Sequence, residues 1–94
     1  MRRARKIDAN QPLIVRTLRE YGCTVEVISD LGRGMPDLLV RTPRGTVRLV
    51  EVKDATQPES KQRLTSDEYE VYVRWRESYA IVKTQDEAIE LAKL

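Results

Sequence analysis

The sequence contains no histidine and a single cysteine, Cys23. These two scarcities remove much of the common catalytic repertoire. The usual zinc sites draw on several Cys and His side chains, and Ser-His or Cys-His nucleophile systems need an imidazole. A lone cysteine also rules out an internal disulfide, which fits a reducing, cytoplasmic setting. Long apolar runs are missing too. None approaches the roughly 18 residues of a membrane span, so no membrane partner is expected. No signal peptide is expected either, because Arg2, Arg3, Arg5 and Lys6 are followed by Asp8, Asn10 and Gln11 where an apolar segment would be needed. What remains for chemistry is oxygen and ammonium. Any metal must be held by oxygen donors, and acid–base work must fall to Asp, Glu, Lys, Tyr or water.

Ninety-four residues predict one domain spanning 1–94, with residues 1–7 as a basic arm. A chain this short buries only about two-thirds of its unfolded surface, so it gains from pairing with a second copy. Hydrophobic content of 40% with 34% charged residues describes a globular protein. The net charge of +2 is too small to identify a nucleic-acid binder, although four of the 17 cations fall within the first six residues. The arm reads equally as a frayed terminus or as a phosphate contact.

The pattern along the chain predicts alternating element types. Asp8 or Asn10 can cap a first helix with Pro12 in its first turn. Ile14, Leu18 and Tyr21 form its buried stripe, and Gly22 stops it. Thr24 to Ile28 reads as a strand. Ser29 to Gly34 reads as a loop with two glycines, lacking the spacing and lysine of a nucleotide-binding loop. Gly34 to Asp54 reads as a hairpin folded at Thr42-Pro43-Arg44-Gly45. Ala55 to Arg63 is a polar loop. Thr65-x-x-Glu68 is a capping box opening a helix from Ser66 to about Arg76, whose Tyr69, Tyr72 and Trp75 are assigned to the core. Tyr79 to Val82 reads as a short buried strand. Thr84-x-x-Glu87 is a second capping box before a last helix with Ala88, Leu91 and Ala92 inward. The sum is α-β-β-β-α-β-α, an α/β chain with a mixed sheet flanked by helices.

The hairpin carries the chemistry. Alternation puts Asp37, Leu39 and Arg41 on one face of its first strand, and Val47, Leu49, Glu51 and Lys53 on one face of its second. Folding about Pro43 and Arg44 sets Arg41 opposite Val47, Leu39 opposite Leu49 and Asp37 opposite Glu51. Two facing carboxylates repel and weaken a sheet. A divalent cation removes the conflict, since carboxylate oxygens are the ligands that Mg²⁺ and Mn²⁺ prefer. A solvated surface ion pair is the bland alternative for Glu51 and Lys53. The apolar residues sharing their face argue against it.

Pro36-Asp37, followed after the hairpin by Glu51-Val52-Lys53, resembles the signature of the PD-(D/E)xK nuclease superfamily. The Gly-x-Pro-Asp-Leu-Leu-Val spelling and the order of elements resemble, more narrowly, the small virus-type replication-repair nuclease (VRR-NUC) domains of phages. The resemblance covers nearly the whole chain. It implies a restriction-endonuclease-like fold and a Mg²⁺- or Mn²⁺-dependent DNA endonuclease, active on branched or junction DNA in replication or repair. It further implies Asp37, Glu51 and Lys53 as catalytic residues, with Asp37, Glu51 and the Val52 carbonyl on the metal. Related domains carry an acidic residue near the start of the first helix as a further metal contact; the matching position holds Gln11, an uncharged oxygen donor. Arg33, Lys61, Gln62, Arg63, Arg2 and Arg3 are candidates for nucleic-acid contact, with DNA the expected partner and RNA left open. A homodimer is the default assembly for cutting two strands. Gln11 also motivates the alternative, a weakened nuclease-fold module that binds nucleic acid without cutting it.

Overall fold

The computed structural model describes residues 8–94; Arg2, Arg3 and the rest of the basic arm lie outside them. The elements are α1 (Gln11–Glu20), β1 (Thr24–Val27), β2 (Leu38–Arg41), β3 (Val47–Val52), α2 (Glu59–Gln62), α3 (Ser66–Trp75), β4 (Tyr79–Val82) and α4 (Gln85–Ala92). The four strands form one mixed sheet in the order β1-β2-β3-β4. The first three run as an antiparallel meander, and β4 joins β3 in parallel after the helical crossover. This is the α/β, restriction-endonuclease-like arrangement that the order of elements and the resemblance pointed to. Among the described residues, no helix is long and apolar enough to cross a membrane.

The central hairpin follows its turn chemistry. The Gly45 amide donates to the Thr42 carbonyl (2.8 Å), and the Thr42 amide donates to the Thr46 carbonyl (2.8 Å). Pro43 presets φ for the turn, and Gly45 takes the positive φ of +91° that closes it. Arg41 therefore pairs with Val47 and Leu39 with Leu49, as the symmetry of the turn requires. The ladder stops short of the expected Asp37–Glu51 pair, because β2 begins at Leu38 and Asp37 sits in a bend.

Alternation divides the sheet into two unlike faces. Leu38, Val40, Val50, Val52 and Val82 meet Ile14, Val15 and Leu18 of α1 and Ala88, Leu91 and Ala92 of α4 in the main apolar core. The opposite face carries a smaller cluster of Leu49, Tyr79 and Val71, flanked by Ile28, Met35 and Leu64.

Several local expectations need correction. Tyr21 is exposed rather than buried, because it is the C-cap of α1 and leaves the helical stripe; Val15 and Thr17 are buried instead. Gly22, at φ +89°, then ends the helix with the Cys23 amide donating to the Leu18 carbonyl and the Gly22 amide to Arg19. The aromatics of α3 are not core: Tyr69, Tyr72 and Trp75 are 57%, 38% and 47% exposed, while Val71 is the apolar residue of α3 that is fully covered. On this face of the sheet the buried cluster is small, Leu49 and Tyr79 meeting Val71, so α3 has a single apolar side chain to cover fully. The polar loop after β3 contains the one-turn helix α2, started by Pro58. At α4, Thr84 accepts from the Glu87 amide, but the Glu87 carboxylate reaches the Lys83 amide (2.7 Å) instead of closing a box with Thr84.

Candidate active site

The end of β3 nearest α1 is where buried charge collects. Asp37, Glu51, Lys53 and Glu68 are 3%, 2%, 7% and 6% exposed, values unusual for ionisable side chains unless they are paired. They line a depression of about 420 Å³ together with Asp8, Ala9, Asp54, Gln57, Lys61 and Thr65. Its walls hold five carboxylates and two ammonium groups.

Each charged group is delivered by a different device. Asp37 stands just before β2, where its Oδ2 accepts from the Val52 amide (2.8 Å), so the carboxylate continues the ladder that the strand has left. Gly34, three residues upstream, has φ +78°, and a Cβ there would collide with the backbone of Asp67. Only glycine lets the loop that carries Asp37 lie against the first turn of α3. Glu51 and Lys53 point to the same face by strand alternation. The Lys53 ammonium lies 2.9 Å from Glu68 Oε1 and 3.6 Å from Glu51 Oε2. Glu68 comes from the capping box of α3, where its Oε1 also accepts from the Thr65 amide (2.9 Å).

The start of α1 is tied to this end of the sheet in an unforeseen way. Asn10 occupies the N-cap position without capping the helix through its side chain. Its Nδ2 instead donates to the carbonyls of Lys53 and Lys83 (3.0 Å each), the residues that follow β3 and β4. This anchor brings Asp8 to the depression, beside Lys53 and Asp37.

Gln11 is placed behind the depression. Its Nε2 donates to Ser29 Oγ (3.2 Å), and Ser29 Oγ in turn donates to Asp37 Oδ1 (3.4 Å). Gln11 thus touches Asp37 through one intermediate, and Asp8 is the acid that the start of α1 presents to the depression. Asp8 was legible only as a candidate cap.

The electrostatics follow from burial and pairing. Burial alone would lower the Lys53 pKa, but the hydrogen bond to Glu68 and the charges of Glu68, Glu51 and Asp8 outweigh it and raise the ammonium above its ordinary value. Burial alone would raise Glu68; the Thr65 amide, Lys53 and a hydrogen bond with Glu51 more than offset it, and its carboxyl sits below the usual range. Asp8 is pushed up by desolvation, moderated by Lys53 and reinforced by Asp37, Asp54 and Glu68.

Of the candidates for nucleic-acid contact, Lys61 lines the depression. Arg33 and Arg63 are exposed outside its lining. Gln62 donates to the carbonyls of Gln57 (2.7 Å) and Ala55 (3.3 Å), so it clasps its own loop. Val52 buries its side chain in the main core and gives its amide to Asp37.

Among the described residues, no three His, Cys, Asp or Glu side chains are arranged to hold an ion by themselves. Mg²⁺ keeps several waters and takes one or two carboxylates, with substrate phosphates completing its shell. Asp37 and Glu51, buried at one depression beside further oxygen donors, fit such an ion.

A solved structure described as "VRR_NUC domain" is similar to this chain, with a TM-score of 0.58 and 29% sequence identity over 92% of this chain and 97% of that one. No protein-family model matches the sequence, and no curated protein does.

Proposed function

We propose that this chain, which belongs to the VRR-NUC branch of the PD-(D/E)xK nuclease superfamily, is a divalent-metal-dependent endonuclease that hydrolyses phosphodiester bonds in DNA. Nuclease-type chemistry is what the family relationship supports directly. The rest is carried by one observation: Asp37, Glu51 and Lys53 are buried together at a single depression, at a cost to stability that folding alone does not require.

In this reading Asp37 and Glu51, with the Val52 carbonyl, hold Mg²⁺ or Mn²⁺. When bound, the ion supplies a polarised phosphate and an acidified water. Asp37 is oriented from behind by the Val52 amide and Ser29, so its carboxylate is fixed before any ligand arrives. Lys53 offers a charged donor at the same wall, placed to stabilise charge developing on a phosphate oxygen. Lys61 meets the flanking backbone from the exposed rim. Branched or junction DNA is the proposed substrate, in a phage or replication-repair setting, and a homodimer supplies a site for each strand.

The alternative of a module that binds without cutting drew on the uncharged Gln11. Asp8 supplies a carboxylate at the same end of α1, which favours cleavage. Incubating the protein with labelled four-way junctions, flaps, plain duplex and RNA in Mn²⁺ tests the proposal. Cleavage that disappears in Glu51→Ala and Lys53→Ala is expected. No cleavage of any substrate, or cleavage that survives both substitutions, overturns it.

A further inference from the structure

We infer that Gln11 and Ser29 are positioning residues: the Gln11 amide turns the Ser29 hydroxyl hydrogen onto Asp37, so that Gln11 serves the cation site as a hydrogen-bond donor and not as a ligand. The inference rests on the nuclease reading and deepens it.

Gln11, Ser29 and Asp37 are buried side by side. Their contacts have a direction. Gln11 Nε2 donates to Ser29 Oγ (3.2 Å), and Ser29 Oγ lies 3.4 Å from both Oδ1 and the main-chain carbonyl oxygen of Asp37. A carbonyl and an ionised carboxylate only accept, and a hydroxyl has one hydrogen to give. Residue 11 decides where that hydrogen goes. An N–H from residue 11 occupies a lone pair of Oγ and leaves the hydrogen for Asp37. An acceptor at residue 11 would draw the hydrogen to itself and leave Oγ facing Asp37 oxygen to oxygen.

The orientation of the amide obeys the same rule. Gln11 Oε1 is buried and has no hydrogen-bond partner among the described residues. Turning the amide over would let Oε1 accept from Ser29. It would also take the donor from Asp37 and put both amide N–H groups where Oε1 now finds no partner. One unsatisfied acceptor is the smaller loss.

The location of Gln11 leaves it no shorter route to the ion. With Pro12, Val15 and Val27 it lines the apolar groove between α1 and β1, and it is not among the residues that line the charged depression. Asp37 spans the two sides. The Val52 amide holds its Oδ2 (2.8 Å) and Ser29 meets its Oδ1, while the Ile28 amide, next to Ser29, donates to its carbonyl (2.8 Å). The start of β2 and the turn after β1 are thus latched together at the carboxylate that faces the cation.

Calorimetric titration of Mn²⁺ without DNA into the parent, Gln11→Met, Gln11→Glu, Ser29→Ala and the Gln11→Met/Ser29→Ala double variant gives a readout independent of turnover. Ser29→Ala is expected to weaken Mn²⁺ binding several-fold and Gln11→Met by less. The double variant should lose no more than Ser29→Ala alone, because Gln11 acts only through Ser29. Gln11→Glu adds a charge but removes the donor, and it should bind Mn²⁺ no more tightly than the parent. In cleavage assays Ser29→Ala is expected to lower kcat several-fold with the KM for DNA unchanged. Thermal melting checks that each variant is folded. Should Ser29→Ala fail to fold, Ser29→Cys keeps its volume with a weaker donor and takes its place in the cycle.

Equal Mn²⁺ affinity in the parent and Ser29→Ala, or losses that add in the double variant, overturns the relay. Tighter binding by Gln11→Glu that persists when Ser29 is alanine makes residue 11 a ligand and overturns it as well. In each case a parent that cuts and an inactive Lys53→Ala leave the nuclease reading standing. A parent that binds Mn²⁺ but cuts nothing removes the nuclease reading, and the titration cycle still decides the roles of Gln11 and Ser29. A parent that binds no Mn²⁺ overturns both.

Discussion

The two faces of the sheet are built from alternate residues of the same strands, yet they are packed on opposite principles. On the α1/α4 face, Leu38, Val40, Val50 and Val52 are fully buried among apolar side chains of two helices. On the α3 face, the row that begins with Leu39 and Leu49 runs into Glu51 and Lys53, and a single helix covers it with little more than Val71 and Glu68. The first face carries the stability of a small domain. The second places charges where water is scarce, which strengthens their action on a ligand and weakens the fold. The difference shows how 94 residues accommodate both needs: three antiparallel strands and two helices secure the frame, and the remaining face is free to be expensive.

Exchanging the two principles should produce unlike losses. The largest effect is expected for Lys53→Ala. Cleavage should fall on the order of 10²–10³-fold, and unfolding stability should drop by about 3–5 kcal/mol, because Glu51 and Glu68 are left facing each other without their cation. Gel-based cleavage and urea unfolding measure the two losses. A comparable loss of stability, about 2–5 kcal/mol, is expected for Leu18→Ala on the apolar face. There, Mn²⁺ affinity per folded molecule should be unchanged, which separates frame from site.

Gly34→Ala probes the joint between the two halves of the depression. The positive φ and the collision with Asp67 predict a loss of about 1–3 kcal/mol. Displacement of Asp37 should also weaken Mn²⁺ binding, so thermal unfolding and calorimetry should move together.

Acid should expose the charged face before the apolar one. Glu68 has a folded pKa below its ordinary 4.5, so its contribution is present above that value and fades as pH falls through the folded one. Lys53 has a folded pKa above its ordinary 10.5, so its contribution is complete below that value and fades as pH rises through the folded one. Between these limits the pair is insensitive to pH. The difference in melting temperature between the parent and Glu68→Gln should be flat across neutrality and close below pH 4.5. The smallest effect is expected for Trp75→Ser. With Trp75 47% exposed and the covered half of its ring against Leu39 and Leu49, unfolding stability should fall by about 1 kcal/mol.

Local rules explain what could be read in advance. A Pro-x-Gly turn sets hairpin register within a few residues, so spacing alone assigns Asp37, Glu51 and Lys53 to one face. Gly22 and the box of Thr65 and Glu68 are likewise short-range devices. The misassigned aromatics of α3 mark where such rules end. A helical stripe says which residues share a side, but the width of the surface waiting beneath it depends on strands elsewhere in the chain. Asp8 lies beyond such rules for a related reason. Its place at the depression follows from Asn10 meeting the carbonyls of Lys53 and Lys83, contacts 43 and 73 residues apart in sequence.

By itself, then, the sequence determined the succession of elements, the register of the hairpin and the side of it that bears charge, because these depend on dihedral preference and on a period of two. The tertiary structure alone decided which acid joins from α1 and that Gln11 stands behind Asp37. It also decided that the carboxylate of a helix cap is the partner of the buried lysine. Ion pairs are chosen by distance in space, and a chain's order does not record distance until the helices have docked.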